Sequence, residues 1–119
     1  MTPTKIIEIV CKDYELAVEK FDLPTRRREI VEPCQVSHYF IREYYPRMSY
    51  RAIGEIAGHK NHATVQHSIK TIRNLIKTDR FISMRIKSIK FEIDMEMRRQ
   101  EHKLSMSTYT ERKELILTI

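Results

Sequence analysis

The sequence predicts an all-α chain, a compact helical bundle that ends in a long amphipathic helix. Three observations carry that expectation. Glycine occurs twice and proline four times in 119 residues, so long stretches contain nothing that obliges the backbone to turn. Apolar residues recur at intervals of three and four, the repeat that lines one face of an α-helix. A composition of 41% hydrophobic and 32% charged residues is that of a globular chain, too apolar to remain disordered. The length suits a single domain with one modest core, and no internal repeat is visible.

Each element has a local reason. Thr2 or Thr4 can cap a first helix, with Pro3 tolerated in its first turn. Ile6, Val10, Tyr14, Ala17 and Phe21 continue it as one stripe, and Asp22-Leu23-Pro24-Thr25 breaks the pattern. Arg26, Arg27 and Arg28 then fall in an exposed loop. Pro33 fits the first turn of a second helix, whose apolar face is Val36, Tyr39, Phe40 and Tyr44 and which Pro46 stops. Ser49 caps a short third helix, SYRAIGEIAG, with Ile53 and Ile56 inward and Gly58 at its end. Asn61 caps a fourth, along which Val65, Ile69, Ile72 and Ile76 form a buried stripe. Thr78-Asp79 closes that helix or bends the chain. From Phe81 a long amphipathic run carries Ile82, Ile86, Ile89 and Ile93, with Met95 and Met97 beyond. SMSTYTERKELILTI, residues 105–119, has no assignable pattern. The expected organisation is a domain over 1–78, with 79–119 a C-terminal helix and tail packed on it or extending from it.

A formal charge of +6 and a sequence pI of about 9.4 favour a polyanionic partner. The basic residues gather at Arg26–Arg28 and along Lys60, Lys70, Arg73 and Lys77, away from most of the acids. No apolar run approaches the ~20 residues of a membrane helix. The first residues lack a cleavable signal pattern, so a cytoplasmic protein with no membrane partner is expected. Cys11 and Cys34 are then expected to be reduced, buried fillers rather than a disulfide.

GHKNHATVQHSIKTI, residues 58–72, concentrates His59, His62 and His67 in one stretch. Metal ligation fits poorly. His62 and His67 are five apart, about 140° around a helix, so they do not share a face as an i, i+4 pair would. No cysteine lies nearby. Neither a metal, a cofactor nor a catalytic site is expected, and the chain reads as non-enzymatic. His67 is expected to be semi-buried and to brace the turn, leaving His62 exposed. A short helix, a turn with Gly58 and a longer capped helix make a helix-turn-helix. A helix that enters the major groove by its N-terminus needs a small, polar first turn, with apolar residues beginning about one turn in. Asn61, His62, Ala63 and Thr64 followed by Val65 meet that requirement. Asn and His can hydrogen-bond base edges, methyls of Ala63 and Thr64 can meet a thymine methyl, and free N–H groups at the helix start favour a phosphate.

The same stretch, AGHKNHATVQHSIKTI, resembles the signature of the C-terminal DNA-binding domain of DnaA, the bacterial replication initiator, close to G-G-R-D-H-T-T-V-x-H-A. Gly58, His62, Thr64, Val65 and His67 match in register. RRREIVEPCQ resembles the family's basic loop and following helix, YRAIGEIAG its L-P-x-I-G-x-x-F-G segment, and the likeness covers roughly residues 5–78. It implies an all-helical fold with an embedded helix-turn-helix. It also implies roles: Arg26 in the minor groove, Gln35, Lys60 and Thr64 on the phosphate backbone, and Asn61, His62 and Ala63 facing bases. Arg27, Arg28 and Lys70 are further candidates for phosphate or minor-groove contact. The chain departs from the pattern at Asn61 (aspartate in the family), at Ala63 (threonine) and at Cys34, where arginine is common. An extra residue also falls around Tyr45-Pro46-Arg47. Aspartate accepts from a cytosine amino group whereas asparagine pairs more naturally with adenine, so a shifted site preference is implied.

Glycines at 54 and 58 alone cannot build the G-x-x-x-x-G-K-[ST] nucleotide loop of the initiator's ATPase module, so no nucleotide partner is expected. The expectation is therefore a sequence-specific double-stranded DNA-binding protein, an accessory or regulator of replication or transcription. Its rival is a helical interaction module that has kept the fold and lost DNA affinity, for which the residues at 34, 61 and 63 argue. The 82–93 stripe is expected to pack on the bundle. It also approaches a heptad, which would suit a homodimer through the 81–97 helix.

Overall fold

The computed structural model describes residues 1–118, with side chains over residues 1–103, and its elements are helical throughout. Helix α1 (Pro3–Asp13) starts where Thr2 Oγ1 accepts from the Lys5 N–H at 3.2 Å. It stops earlier than the apolar spacing implies. Glu15 takes a left-handed φ of 53°. The Leu16 N–H then reaches the Cys11 carbonyl at 2.9 Å and the Glu15 N–H the Lys12 carbonyl at 3.2 Å. These paired bonds satisfy the last carbonyls of α1 in a Schellman-type cap made without glycine. Ala17 therefore leaves the stripe and is exposed. Phe21 reaches the core on a separate 3-10 helix, Val18–Asp22, at 2% exposure.

Helix α2 (Arg28–Tyr44) begins five residues before Pro33, so Arg28 stands in its first turn rather than in the loop. Pro33 is inside the helix, where its missing N–H removes the bond to the Glu29 carbonyl. The loss is confined to the N-terminal part, which Arg27 anchors by accepting from Ile30 and Val31. This helix is central, contacting α1, α3, α4 and the 3-10 helix. It consequently buries more of its circumference than one stripe: Val36 and Phe40, as expected, but also Cys34, Ser37, His38 and Ile41. Cys11 and Cys34 are both buried free thiols.

Helix α3 (Tyr50–Ile56) is capped by Ser49 Oγ, which accepts from the Ala52 N–H at 3.1 Å. Ile53 is fully buried, but Ile56 is 37% exposed and Ala57 takes the inward position. The helix ends at Ile56, and the change of direction at Ala57 turns the next side chain into the core. Helix α4 (His62–Thr78) follows, with Val65, Ile69 and Ile72 buried and Ile76 packed at the edge. Asp79 both ends α4 and starts α5 (Arg80–Thr118): its N–H reaches the Leu75 carbonyl, and its Oδ1 accepts from Phe81 and Ile82.

Ile82, Ile86, Ile89 and Ile93 are at most 5% exposed and share one core with α1 and α4. That stripe faces inward and is unavailable to a second copy. Tyr44 donates to Asp94, and Arg85 bonds Asp13 at 2.9 Å while lying over the Tyr14 ring. The stretch 105–118 continues α5, and Ile119 lies outside the described residues. Among the described residues, no helix is long and apolar enough to cross a membrane.

Candidate nucleic-acid interface

The turn between α3 and α4 owes its shape to two glycines used differently. Gly58 has φ of 85° and His59 follows at 51°, consecutive left-handed residues that reverse the chain in a few ångströms. Gly54 lies beneath. The Lys60 N–H bonds its carbonyl at 3.0 Å, and a Cβ at Gly54 would stand 1.9 Å from the Lys60 carbonyl oxygen. Only a residue without a side chain lets the turn settle on α3 this closely. His59 Nδ1 meets Asp22 Oδ1 at 2.6 Å, which ties the turn to the end of the 3-10 helix.

His38 holds the turn from below. It is fully buried on α2, its Nε2 2.9 Å from the Ala57 carbonyl and its Nδ1 3.0 Å from Ser68 Oγ on α4. A carbonyl can only accept, so Nε2 carries the hydrogen, and the single Ser68 hydroxyl hydrogen is shared between Nδ1 and the Thr64 carbonyl, 2.9 Å from Ser68 Oγ. Burial pushes the His38 pKa below its ordinary value, outweighing the upward pull of the Ala57 carbonyl. Cys34 Sγ is 3.7 Å from the same ring, and burial pushes its thiol up to about 11. Thiol and imidazole are thus both neutral, a packed pair rather than a thiolate–imidazolium nucleophile. The sequence reading gave the bracing role to His67. His67 is instead exposed on α4, its Nε2 3.4 Å from Thr71 Oγ1, and His38 is the brace. The signal was present: Cys34, His38 and Ile41 share a face at i, i+4, i+7.

With the turn held, α4 presents its N-terminus outward. Asn61, His62, Ala63 and Thr64 are all exposed, and burial begins at Val65. Asn61 Oδ1 caps the helix by accepting from the Thr64 N–H at 2.8 Å, which leaves its amide NH2 as the outward donor. No acidic residue stands in the first turn of α4, so the partial positive charge of the helix start is not offset there.

A cleft of about 260 Å³ lies beside this end. Thr25, Gln35, Lys60, Thr64 and His67 line it as polar groups over a floor that includes Phe21, Val31 and Cys34. Gln35, Lys60 and Thr64, far apart in sequence, therefore meet around one depression, and the chain runs from Thr25 at its rim into Arg26 and Arg27. Those two arginines are exposed. Arg28 is exposed too but pairs with Glu32 at 3.2 Å along α2. Lys70 is exposed farther along α4, and Arg73 is engaged by Glu43 at 3.3 Å. Among the described residues, no group of three or more His, Cys, Asp or Glu side chains could hold a metal ion. The arrangement is thus a polar helix start, a basic loop and a polar cleft between them.

A family model described as "Bacterial dnaA protein helix-turn-helix" matches residues 3–72. Similar curated proteins include the chromosomal replication initiator protein DnaA of Bacteroides thetaiotaomicron, 30% identical over 89 residues, covering 75% of this chain and 19% of that protein. The Trichormus variabilis protein of the same description is 31% identical over 103 residues, 87% of this chain and 22% of its own length. That of Thermoanaerobacter pseudethanolicus is 38% identical over 93 residues, 78% of this chain and 20% of its own. The chain spans about a fifth of the length of the curated relatives it matches. The end of α4 and all of α5 lie beyond the stretch that the family model matches.

Proposed function

The chain belongs to the bacterial DnaA helix-turn-helix family, and from that premise we propose that it reads double-stranded DNA by sequence. The start of α4 enters the major groove, where Asn61, His62 and Ala63 face base edges. The loop carrying Arg26 and Arg27 reaches the adjacent minor groove or its phosphates, and the strand between passes over the cleft, held by Gln35, Lys60 and Thr64. Arg28 and Lys70 add phosphate contacts at the margins. The output is control of replication or transcription at the bound site, with neither nucleotide nor metal taking part in the reading.

One observation supports this above the others: the first turn of α4 is exposed and polar while its next turns are buried. The rival reading, an interaction module, draws on the changed residues at 34, 61 and 63. Fluorescence anisotropy with a random duplex at low salt separates the two. A DNA reader binds there and weakens steeply with added salt, as about five to seven basic groups displace counterions. His62→Ala is expected to cost ~1–3 kcal/mol on a site selected from a random pool and little on other sequences. An unchanged ratio of specific to random binding would remove His62 from the reading face.

A further inference from the structure

Packing its isoleucines inward leaves α5 with a second apolar row outside. Phe81, Met84 and Phe91 are 83%, 58% and 65% exposed. Ser88 is exposed and Met95 half-buried on the same side. At about 100° per residue, this row lies roughly 150° around α5 from the buried isoleucines. Positions 81, 84, 88, 91 and 95 step by three, four, three and four, the a/d repeat of a coiled coil. A lone exposed phenylalanine needs no explanation, but a run at heptad spacing on an already folded helix does. We propose that this row is the seam of a homodimer, α5 of one copy lying against α5 of the second.

The flanking charges suit a second copy of the same helix. With Phe81 at a and Met84 at d, a parallel pair brings Lys87 beside Glu92 of the second copy, and Asp94 beside Arg99 of the second copy. Both pairs are complementary, and an antiparallel pair is complementary too, setting Arg85 beside Glu92 and Lys87 beside Asp94 of the second copy. Asp94 already accepts from Tyr44 through Oδ1, so it offers Oδ2, which Lys90 approaches at 3.5 Å, and Arg99 exchanges its Glu96 contact. The remaining flank pairs Arg80 with Arg85, but Asp13 already balances the Arg85 charge at 2.9 Å.

Two heptads span roughly 21 Å, too short for free helices to fold and associate together. Here the folding cost is already met, because the buried isoleucines keep α5 helical whether or not a partner is present. The aromatic and methionine side chains of two copies would remove roughly 1,000 Å² from water, at the low end of specific interfaces. A concentration-dependent dimer is the expected outcome.

Sedimentation equilibrium of the full chain without DNA tests the seam separately from DNA reading. The expected mass moves from monomer toward dimer across the micromolar range. The double variant Phe81→Glu with Phe91→Glu weakens association by about tenfold or more, with helical circular dichroism unchanged because both side chains are exposed in the single copy. Glu92→Lys weakens the dimer, because it sets like charges across the seam against Lys87 or Arg85. A chain that stays monomeric throughout, or a dimer indifferent to the two glutamates, would overturn the proposal.

Discussion

His38 Nε2 donates to the carbonyl of Ala57 at 2.9 Å, and through that bond the central helix α2 sets the turn that aims α4. Neither residue faces solvent, yet the direction of the exposed helix start depends on both. Of the two left-handed residues beyond Ala57, Gly58 adopts that conformation freely, and it is the strain at His59 that the surrounding packing must offset. The imidazole, the Ser68 hydroxyl and the Gly54–Lys60 contact are where that support comes from.

Stability should therefore depend on pH through His38. Its folded pKa lies below the ordinary 6.5 because burial penalises the imidazolium. As pH falls through that value the unfolded chain takes up a proton that the native state refuses. The contribution is therefore complete above pH 6.5 and is lost progressively below it, down to the folded pKa. Urea midpoints should drop from about pH 7 to about pH 5. His38→Gln, which keeps an amide donor but does not titrate, should flatten that drop, and an equal drop in both proteins would assign it to other groups. His38→Ala should cost roughly 2–4 kcal/mol at neutral pH, from the orphaned carbonyl and the cavity together.

Gly54→Ala should be among the most damaging single-methyl additions in this chain. The new Cβ would stand 1.9 Å from the Lys60 carbonyl oxygen, a backbone atom that cannot move aside alone. A loss of roughly 2–4 kcal/mol in urea unfolding is expected, with DNA affinity falling as the turn lifts. A stability loss within experimental error would mean that the turn does not rest on α3 as described.

Substitutions at Asn61 should separate capping from reading. Asn61→Ala removes the acceptor for the Thr64 N–H and should cost about 1 kcal/mol of stability. Asn61→Asp keeps that acceptor, so stability should hold while the preferred base changes toward cytosine, whose amino group a carboxylate accepts. Selection from a random duplex pool with both proteins compares the preferences, and identical selected sites would take Asn61 off the reading face.

The three neighbouring arginines should not behave alike. Arg26→Ala and Arg27→Ala should each weaken binding to all sequences and lower the salt slope by about 1. Arg28→Ala should change the slope less, because Glu32 at 3.2 Å already balances its charge. Salt titrations of the three variants on one duplex make the comparison, and equal slopes for all three would show that the Arg28–Glu32 pair opens on DNA.

Much of this molecule was legible before any coordinates. The caps at Thr2, Ser49 and Asn61 form with the expected side-chain acceptors, because capping is a contact over three residues. Ile69 and Ile72 of α4 and Ile82, Ile86, Ile89 and Ile93 of α5 are buried as their spacing implies, with Ile76 half-buried at the edge. Where contacts run farther along the chain, the sequence was mute or misleading. The stripe through Ala17 continued past a stop that Glu15 makes without glycine. Ile56 matched the inward pattern of α3 but lies where that helix has already ended. His67 sits in the signature stretch and drew the bracing role that His38, in the preceding helix, performs.

The order of residues was enough to give the succession of helices, the caps at Thr2, Ser49 and Asn61, and a first turn of α4 too polar to pack. Such features depend on neighbours a few residues away, and short-range chemistry is written in the order of the residues. Long-range packing decided that a histidine of α2 holds the turn, that Gly54 must be bare, and that Gln35, Lys60 and Thr64 meet at one cleft. It also decided which of the two faces of α5 remains outside. Each of these rests on groups brought together from distant positions, and burial, which sets the His38 pKa and leaves Phe81 and Phe91 in water, belongs to the packed fold alone.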